Sequence, residues 1–147
     1  MGILKSIWPS RQPPPSDPIF RFTKFYNFAP PYWEAEADFA ATGGRVEVLI
    51  ECPRSGAFPT QHSFYRELED RYRDALAVAH EAILRELANM GEDAITPDAD
   101  SLRLVCVSIP EAPPNAEWEL SFENSQGVHY DVAFQGWSPK RVEVKMC

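Results

Sequence analysis

Residues 60–90 form the one long stretch of this chain with helical periodicity, and everything else must be arranged around it. Leu68, Tyr72, Leu76, Ala79, Ile83, Leu87 and Met90 recur at steps of three and four, while Arg66, Glu69, Asp70, Arg73, Asp74, Glu81 and Arg85 fall mostly on other faces. The spacing predicts one amphipathic helix about 45 Å long, enough to cross a whole small sheet. Pro59 and Thr60 introduce it, with Thr60 expected to cap the free amides of the first turn, and Gly91 stops it. Short strand-like segments lie on both sides.

The last third of the chain is the most legible. Residues 102–109 are a nearly continuous apolar run, the pattern of a central strand covered on both faces. Trp118, Leu120 and Phe122 then alternate with Glu117, Glu119 and Ser121, and Tyr130, Val132 and Phe134 alternate with His129, Asp131 and Ala133. If the apolar sets share a face, Phe122 opposes Tyr130, Leu120 opposes Val132 and Trp118 opposes Phe134. That register leaves Ser125, Gln126 and Gly127 as the loop, with glycine where a type I turn plus bulge needs positive φ. The same reasoning across residues 136–140 pairs Val132 with Val144 and Tyr130 with Met146. It places Lys145 opposite Asp131.

Ahead of the helix, residues 18–28, 32–41 and 45–52 read as three more strands, separated by Pro30 and Pro31 and by Gly43 and Gly44. Six aromatics between Phe25 and Phe39 lack interleaved basic residues, so they read as filling between sheet and helix rather than as a stacking platform. Fourteen prolines against seven glycines gather in residues 9–18, at Pro30 and Pro31, and in residues 110–114. They mark a tail and two connections. The organisation that follows is a proline-rich N-terminal extension, residues 1–17, and a single α+β domain, residues 18–147. The expected fold is an antiparallel, meander-rich sheet with one long helix packed across one face.

The formal net charge of −8 argues against nucleic acid, because phosphate binding depends on lysine and arginine. The acidity fits better with keeping the domain soluble or with complementing a basic protein partner. Cys52, Cys106 and Cys147 have no zinc spacing and read as reduced thiols, with Cys106 a small core residue. No segment has the roughly 18 to 20 apolar residues of a membrane span, and the start has no secretory pattern. A cytoplasmic location is therefore expected. Gly2 and Ser6 formally fit an acylation pattern, but docking of the apolar residues 3–8 on the body or a neighbour is the simpler reading.

Candidate site residues are few. His129 and Asp131 sit side by side on the polar face of one strand, and Glu117 and Glu119 share that face, a grouping that suits a metal site or an acid and base pair and makes the four candidates for ligand binding. Charge pairing between strands, with Glu123 opposite His129, is the plainer explanation. Tyr72 and His80 on the helix, with the aromatics, are candidates for lining a pocket between helix and sheet. Asp93, Asp98 and Asp100 lack the spacing of a calcium loop. No nucleophile elbow, phosphate loop, zinc-binding helix motif or dinucleotide fingerprint occurs, so neither a catalytic residue nor a metal or cofactor is assigned.

The strand at Val46 to Ile50, the helix with Thr60, Leu68 and Ile83, and the terminal meander with Trp118, Glu119, Leu120, Phe122, His129, Tyr130, Val132, Phe134 and Gly136 together resemble small uncharacterised bacterial domains. Such domains are often encoded near toxin and immunity genes. The resemblance covers residues 45–146 and implies an α+β domain. The function expected is a non-enzymatic protein-binding module, immunity-type in kind, that sets an acidic sheet face against a basic partner. The alternatives are a small-ligand-binding protein or enzyme with its pocket between helix and sheet, and an oligomeric structural protein.

Overall fold

A computed structural model describes residues 13–91 and 96–146 of the chain. The expectations for residues 3–8, Gly2, Asp93 and Cys147 lie outside them. Seven strands form one sheet in chain order: β1 (Arg21–Tyr26), β2 (Tyr32–Phe39), β3 (Gly44–Ile50), β4 (Arg103–Ile109), β5 (Trp118–Glu123), β6 (Val128–Gln135) and β7 (Ser138–Met146). The helix α1 spans Pro59–Asn89 and packs across one face. This is the α+β arrangement that the periodicity predicts.

Every neighbouring pair is antiparallel except β3 and β4, which run parallel. The length of α1 explains the exception. A rod of that length returns the chain to the end of the sheet from which β3 set out, so the next strand must run alongside β3 in the same direction.

The buried stripe of α1 is Phe64, Tyr65, Leu68, Tyr72, Ala75, Ala79, Ile83 and Leu87. Leu76 is only half-buried, and Met90, just past the helix end, is exposed. On one half of the sheet Tyr72 meets Phe39 edge-on, ring centres 5.0 Å apart, and Tyr65 donates through its hydroxyl to the Asp38 carbonyl at 2.7 Å. On the other half Phe64 meets Trp118 edge-on at 4.9 Å, and Trp118 stacks on Phe134 at 4.3 Å. Each large apolar side chain buried this way stabilises the fold by roughly 1.5–3 kcal/mol relative to exposure.

The start of the helix differs from the sequence expectation. Phe58 occupies the N-cap position, Pro59 the first helical position, and Thr60 is an exposed residue of the first turn. The missing cap is supplied from inside the helix, where the Gln61 side-chain oxygen accepts from the Phe58 amide at 2.9 Å. A 3₁₀ turn at Ala99–Ser101 precedes β4, with Asp98 at its start.

The β5–β6 register is the one predicted, Phe122 with Tyr130, Leu120 with Val132 and Trp118 with Phe134. Gly127 takes φ +80° at the end of the turn, which the Asn124 side chain closes by accepting from the Gln126 and Val128 amides. The β6–β7 register is displaced by two residues: Tyr130 pairs with Val144 and Val132 with Val142. The turn is shorter than expected, only Gly136 and Trp137 between the paired Gln135 and Ser138, and a register shift follows beside Phe134. A slip of two keeps every side chain on its face, so hydrophobic alternation alone could not detect it.

Leu104, Val107 and Ile109 of β4 are buried, but Cys106 and Ser108 on the opposite side are only half-buried. Among the described residues no element covers that second face. β4 is therefore central but packed beneath a helix on one side alone, and a register shift beside Val105 blurs its alternation.

Candidate functional site

The face of the sheet turned away from α1 is ordered in rows. One row crosses all seven strands through direct Cα partners: Arg21, Glu36, Glu47, Cys106, Ser121, Asp131 and Glu143. Two of its links join carboxylates directly, Glu36 with Glu47 and Asp131 with Glu143. Like charges opposed across strands are destabilising. Arg21 and Arg45 relieve Glu36, and Lys145 reaches Asp131 at 2.9 Å and Glu143 at 3.8 Å. Glu47 makes no ion pair among the described residues.

His129 lies between Glu123 and Lys145 in the ladder, and its Nε2 is 3.9 Å from the Glu123 carboxylate, which Arg103 also binds at 3.0 Å. Asp131 meets Lys145 on the diagonal rather than directly across, and that hydrogen bond holds the lysine above its usual pKa. The Glu117 carboxylate accepts two bonds from Arg141, at 2.9 and 3.1 Å, which hold its pKa below the ordinary range. Glu119 behaves oppositely. Burial raises its pKa, and the charges of Asp131 and Glu143 add to the rise.

Tyr72 and His80 lie on the other side of the sheet, away from these four. Tyr72 is packed against Phe39, and burial pushes its hydroxyl up to about 12. The His80 Nε2 donates to the Pro97 carbonyl at 2.6 Å and ties the middle of α1 to the connection before β4. The structure thus gathers Glu117 and Glu119 at one end of the outer face, places His129 and Asp131 further along it, and leaves Tyr72 and His80 in structural contacts.

Next to Glu117 and Glu119 is a cavity of about 490 Å³ at the carboxyl ends of the parallel strands β3 and β4. Leu49 and Ser108, partners across that pair, form its floor. One wall is the β1–β2 connection with Phe28, Pro30 and Tyr32; the other is Glu117 to Glu119, and Glu51 stands on the rim. Tyr26, Phe28 and Tyr32 make an outward aromatic cluster in which Tyr26 stacks on Tyr32 at 4.6 Å. Half of the aromatic segment is thus not filling beneath the helix, because Tyr26 and Tyr32 face each other on the outer side while Phe25 and Trp33 turn inward.

Gln61 sets the shape of this end. It is the one fully buried polar side chain among the described residues, and its amide donates to the carbonyls of Glu51 and Pro110, both at 2.9 Å. With its oxygen taken by Phe58, every polar atom of the side chain is engaged. The chain leaving β3 and the chain leaving β4 are both clamped to the first turn of α1. Sequence reasoning missed Gln61, Glu51, Phe28 and Tyr32 as site residues. The signal for Gln61 was present as a glutamine in the first helical turn, two positions after Pro59.

Cys106, in the middle of the outer face, is a free thiol that burial, with the Glu47 charge as a lesser cause, pushes up to about 12. It is protonated at neutral pH and a poor nucleophile. The arrangement as a whole offers carboxylates, aromatic faces and a hydroxyl, with the acids outnumbering their cations. The chain matches no protein-family model, no curated protein and no solved structure.

Proposed function

We propose that this protein is a non-enzymatic binding module whose outer sheet face docks a basic protein partner. The observation that carries the reading is the row from Glu36 to Glu143, in which carboxylates are twice set directly against each other. The protein's own cations answer Glu36, Asp131 and Glu143, but Glu47 has no ion pair among the described residues and stands directly against Glu36, so a cation supplied by a partner would relieve a repulsion that remains. The net charge of −8 supports the same reading and disfavours nucleic acid. An immunity-type role in the bacterial cytoplasm is the form suggested by the family resemblance, and the free thiols of Cys52 and Cys106 suit a reducing compartment.

The test is affinity capture from the native host with two baits, the natural chain and a variant carrying Glu36→Gln, Glu47→Gln and Glu143→Gln. The natural chain is expected to retain a basic protein that salt releases, and the variant to lose it. Equal retention by both baits, or no partner at any salt concentration, contradicts the reading.

A second reading, a small-ligand-binding protein, is favoured by the cavity beside Tyr32. Its location at the carboxyl ends of two parallel strands is where open sheets commonly hold ligands.

A further inference from the structure

We propose that the cavity between Tyr32 and Glu119 receives the guanidinium group of an arginine presented by the partner protein, an inference that rests on the protein-binding reading above. The walls define the chemistry. A volume of about 490 Å³ is within the usual range for binding pockets. On one side stand the rings of Phe28 and Tyr32; Phe28 packs against Tyr26 and Tyr32 yet leaves 66% of its surface exposed. On the other side stands Glu119, half-buried, in a wall whose second carboxylate, Glu117, is already occupied by Arg141. Neither Glu119 nor Glu51 makes an ion pair among the described residues.

These features exclude more than they admit. An anion would meet Glu51 and Glu119, neither of them paired with a cation among the described residues, while the cations nearest the wall, Arg141 and Lys140, are engaged by Glu117. A neutral apolar ligand would strip water from Glu119 and leave a charge without a partner, which is costly in a half-buried place. A cation with a flat, weakly hydrated head answers all the walls together: its face stacks on Phe28 and Tyr32, its edge donates to the Glu119 carboxylate, and the stem lies over Leu49. Arginine fits better than lysine, whose compact ammonium cannot stack and fork at once. The protein already makes both kinds of contact internally, with Arg71 stacked 3.9 Å over the Trp137 ring and Arg141 forked onto Glu117.

The surroundings favour an arginine within a chain over a free cation. Glu51 also borders two further concavities, of about 240 Å³ and 550 Å³, which continue from the cavity past Pro30 and Pro110 towards Phe58. They form a proline-rich trough beside Glu111, in which residues flanking the arginine would lie.

The experiment is a titration of the labelled full chain with an acetylated, amidated Gly-Gly-Arg-Gly-Gly peptide, followed by amide chemical shifts, with the citrulline peptide as neutral twin. Saturable shifts at Leu49, Ser108 and Glu119 are expected with arginine, and binding about tenfold weaker or less with citrulline, with Glu119→Gln and with Phe28→Ala. Phe28 is exposed and Glu119→Gln preserves shape, so both variants are expected to fold. Equal binding of the two peptides, or binding indifferent to both substitutions, overturns the proposal. An oligo-arginine peptide separates the two levels of the account: if it shifts residues around Glu36 and Glu47 but leaves the cavity untouched, the pocket is wrong and the face reading stands. If it binds nowhere on this face, both fall.

Discussion

The side-chain amide of Gln61 donates to the main-chain carbonyl of Glu51 at 2.9 Å, and through that bond the first turn of the helix holds the rim of the cavity. The same nitrogen reaches Pro110, so one side chain positions both segments that leave the parallel strands. Replacing it with leucine strands the Phe58 amide, the buried Pro110 carbonyl and the half-buried Glu51 carbonyl. Each buried polar group left without a partner costs about 1–3 kcal/mol. Gln61→Leu is therefore expected to lower the urea midpoint sharply. Gln61→Glu keeps the acceptor for Phe58 but loses both donated bonds, and is also expected to destabilise. A leucine variant as stable as the natural protein would remove Gln61 from its central role.

The opposed carboxylates give a prediction of opposite sign. Glu47→Lys converts a repelling contact with Glu36 into an attractive one, and a gain of about 0.2–1 kcal/mol is expected in equilibrium unfolding. Affinity for a basic partner is expected to fall in the same variant. A loss of stability would show that Glu47 has a structural role.

Glu119 yields a pH dependence whose sign can be worked out. Its pKa is raised in the folded protein, by burial first and then by Asp131 and Glu143, against smaller lowering effects of Lys145 and Arg141. Between the unfolded value near 4.5 and the folded value, the native state holds the extra proton, so this residue's contribution to stability falls as pH rises through that window. Glu119→Gln is expected to be more stable than the natural protein above the window, with the difference vanishing below it. Glu117 behaves inversely: its pKa is lowered, so the stability it adds is present at neutral pH and lost as pH falls through its folded value. Unfolding measured across pH 3 to 8 for Glu119→Gln and Glu117→Gln separates the two.

Most of the fold could be read from alternation. The helix followed from the three- and four-residue steps of Leu68, Tyr72, Ala79, Ile83 and Leu87, and the whole β5–β6 register from Trp118, Leu120, Phe122, Tyr130, Val132 and Phe134, because one-sided burial forces a period near 3.6 in a helix and of two in a strand. The β6–β7 register escaped, since moving Tyr130 from Met146 to Val144 changes no face and only the turn at Gly136 and Trp137 decides between them. The site was half legible. Glu117 and Glu119 showed as polar positions of a strand, but the cavity beside them depends on strands β2, β3 and β4 meeting across an interval of some sixty residues, about which local pattern says nothing. Tyr26 and Tyr32 were hidden for a related reason: an aromatic residue reads as core until the ladder shows which way it points.

The β6–β7 turn can be tested by itself. Gly136 has φ +60°, a conformation that costs a residue with a Cβ about 1–2 kcal/mol. Gly136→Ala is expected to lose that much in equilibrium unfolding, while Gly136→Asn, which tolerates the left-handed region better, is expected to lose less. Equal losses would indicate a cause other than backbone conformation.

The central claim is that partners meet the sheet on the side away from α1. The direct measurement is an amide chemical-shift map of the full chain titrated with an oligo-arginine peptide. The account predicts perturbation along Glu36, Glu47, Ser108, Glu119, Asp131 and Glu143, with the exposed helix residues Arg66, Asp70, Arg73 and Asp74 unmoved. A map centred on those helix residues, with the acidic rows silent, would contradict it.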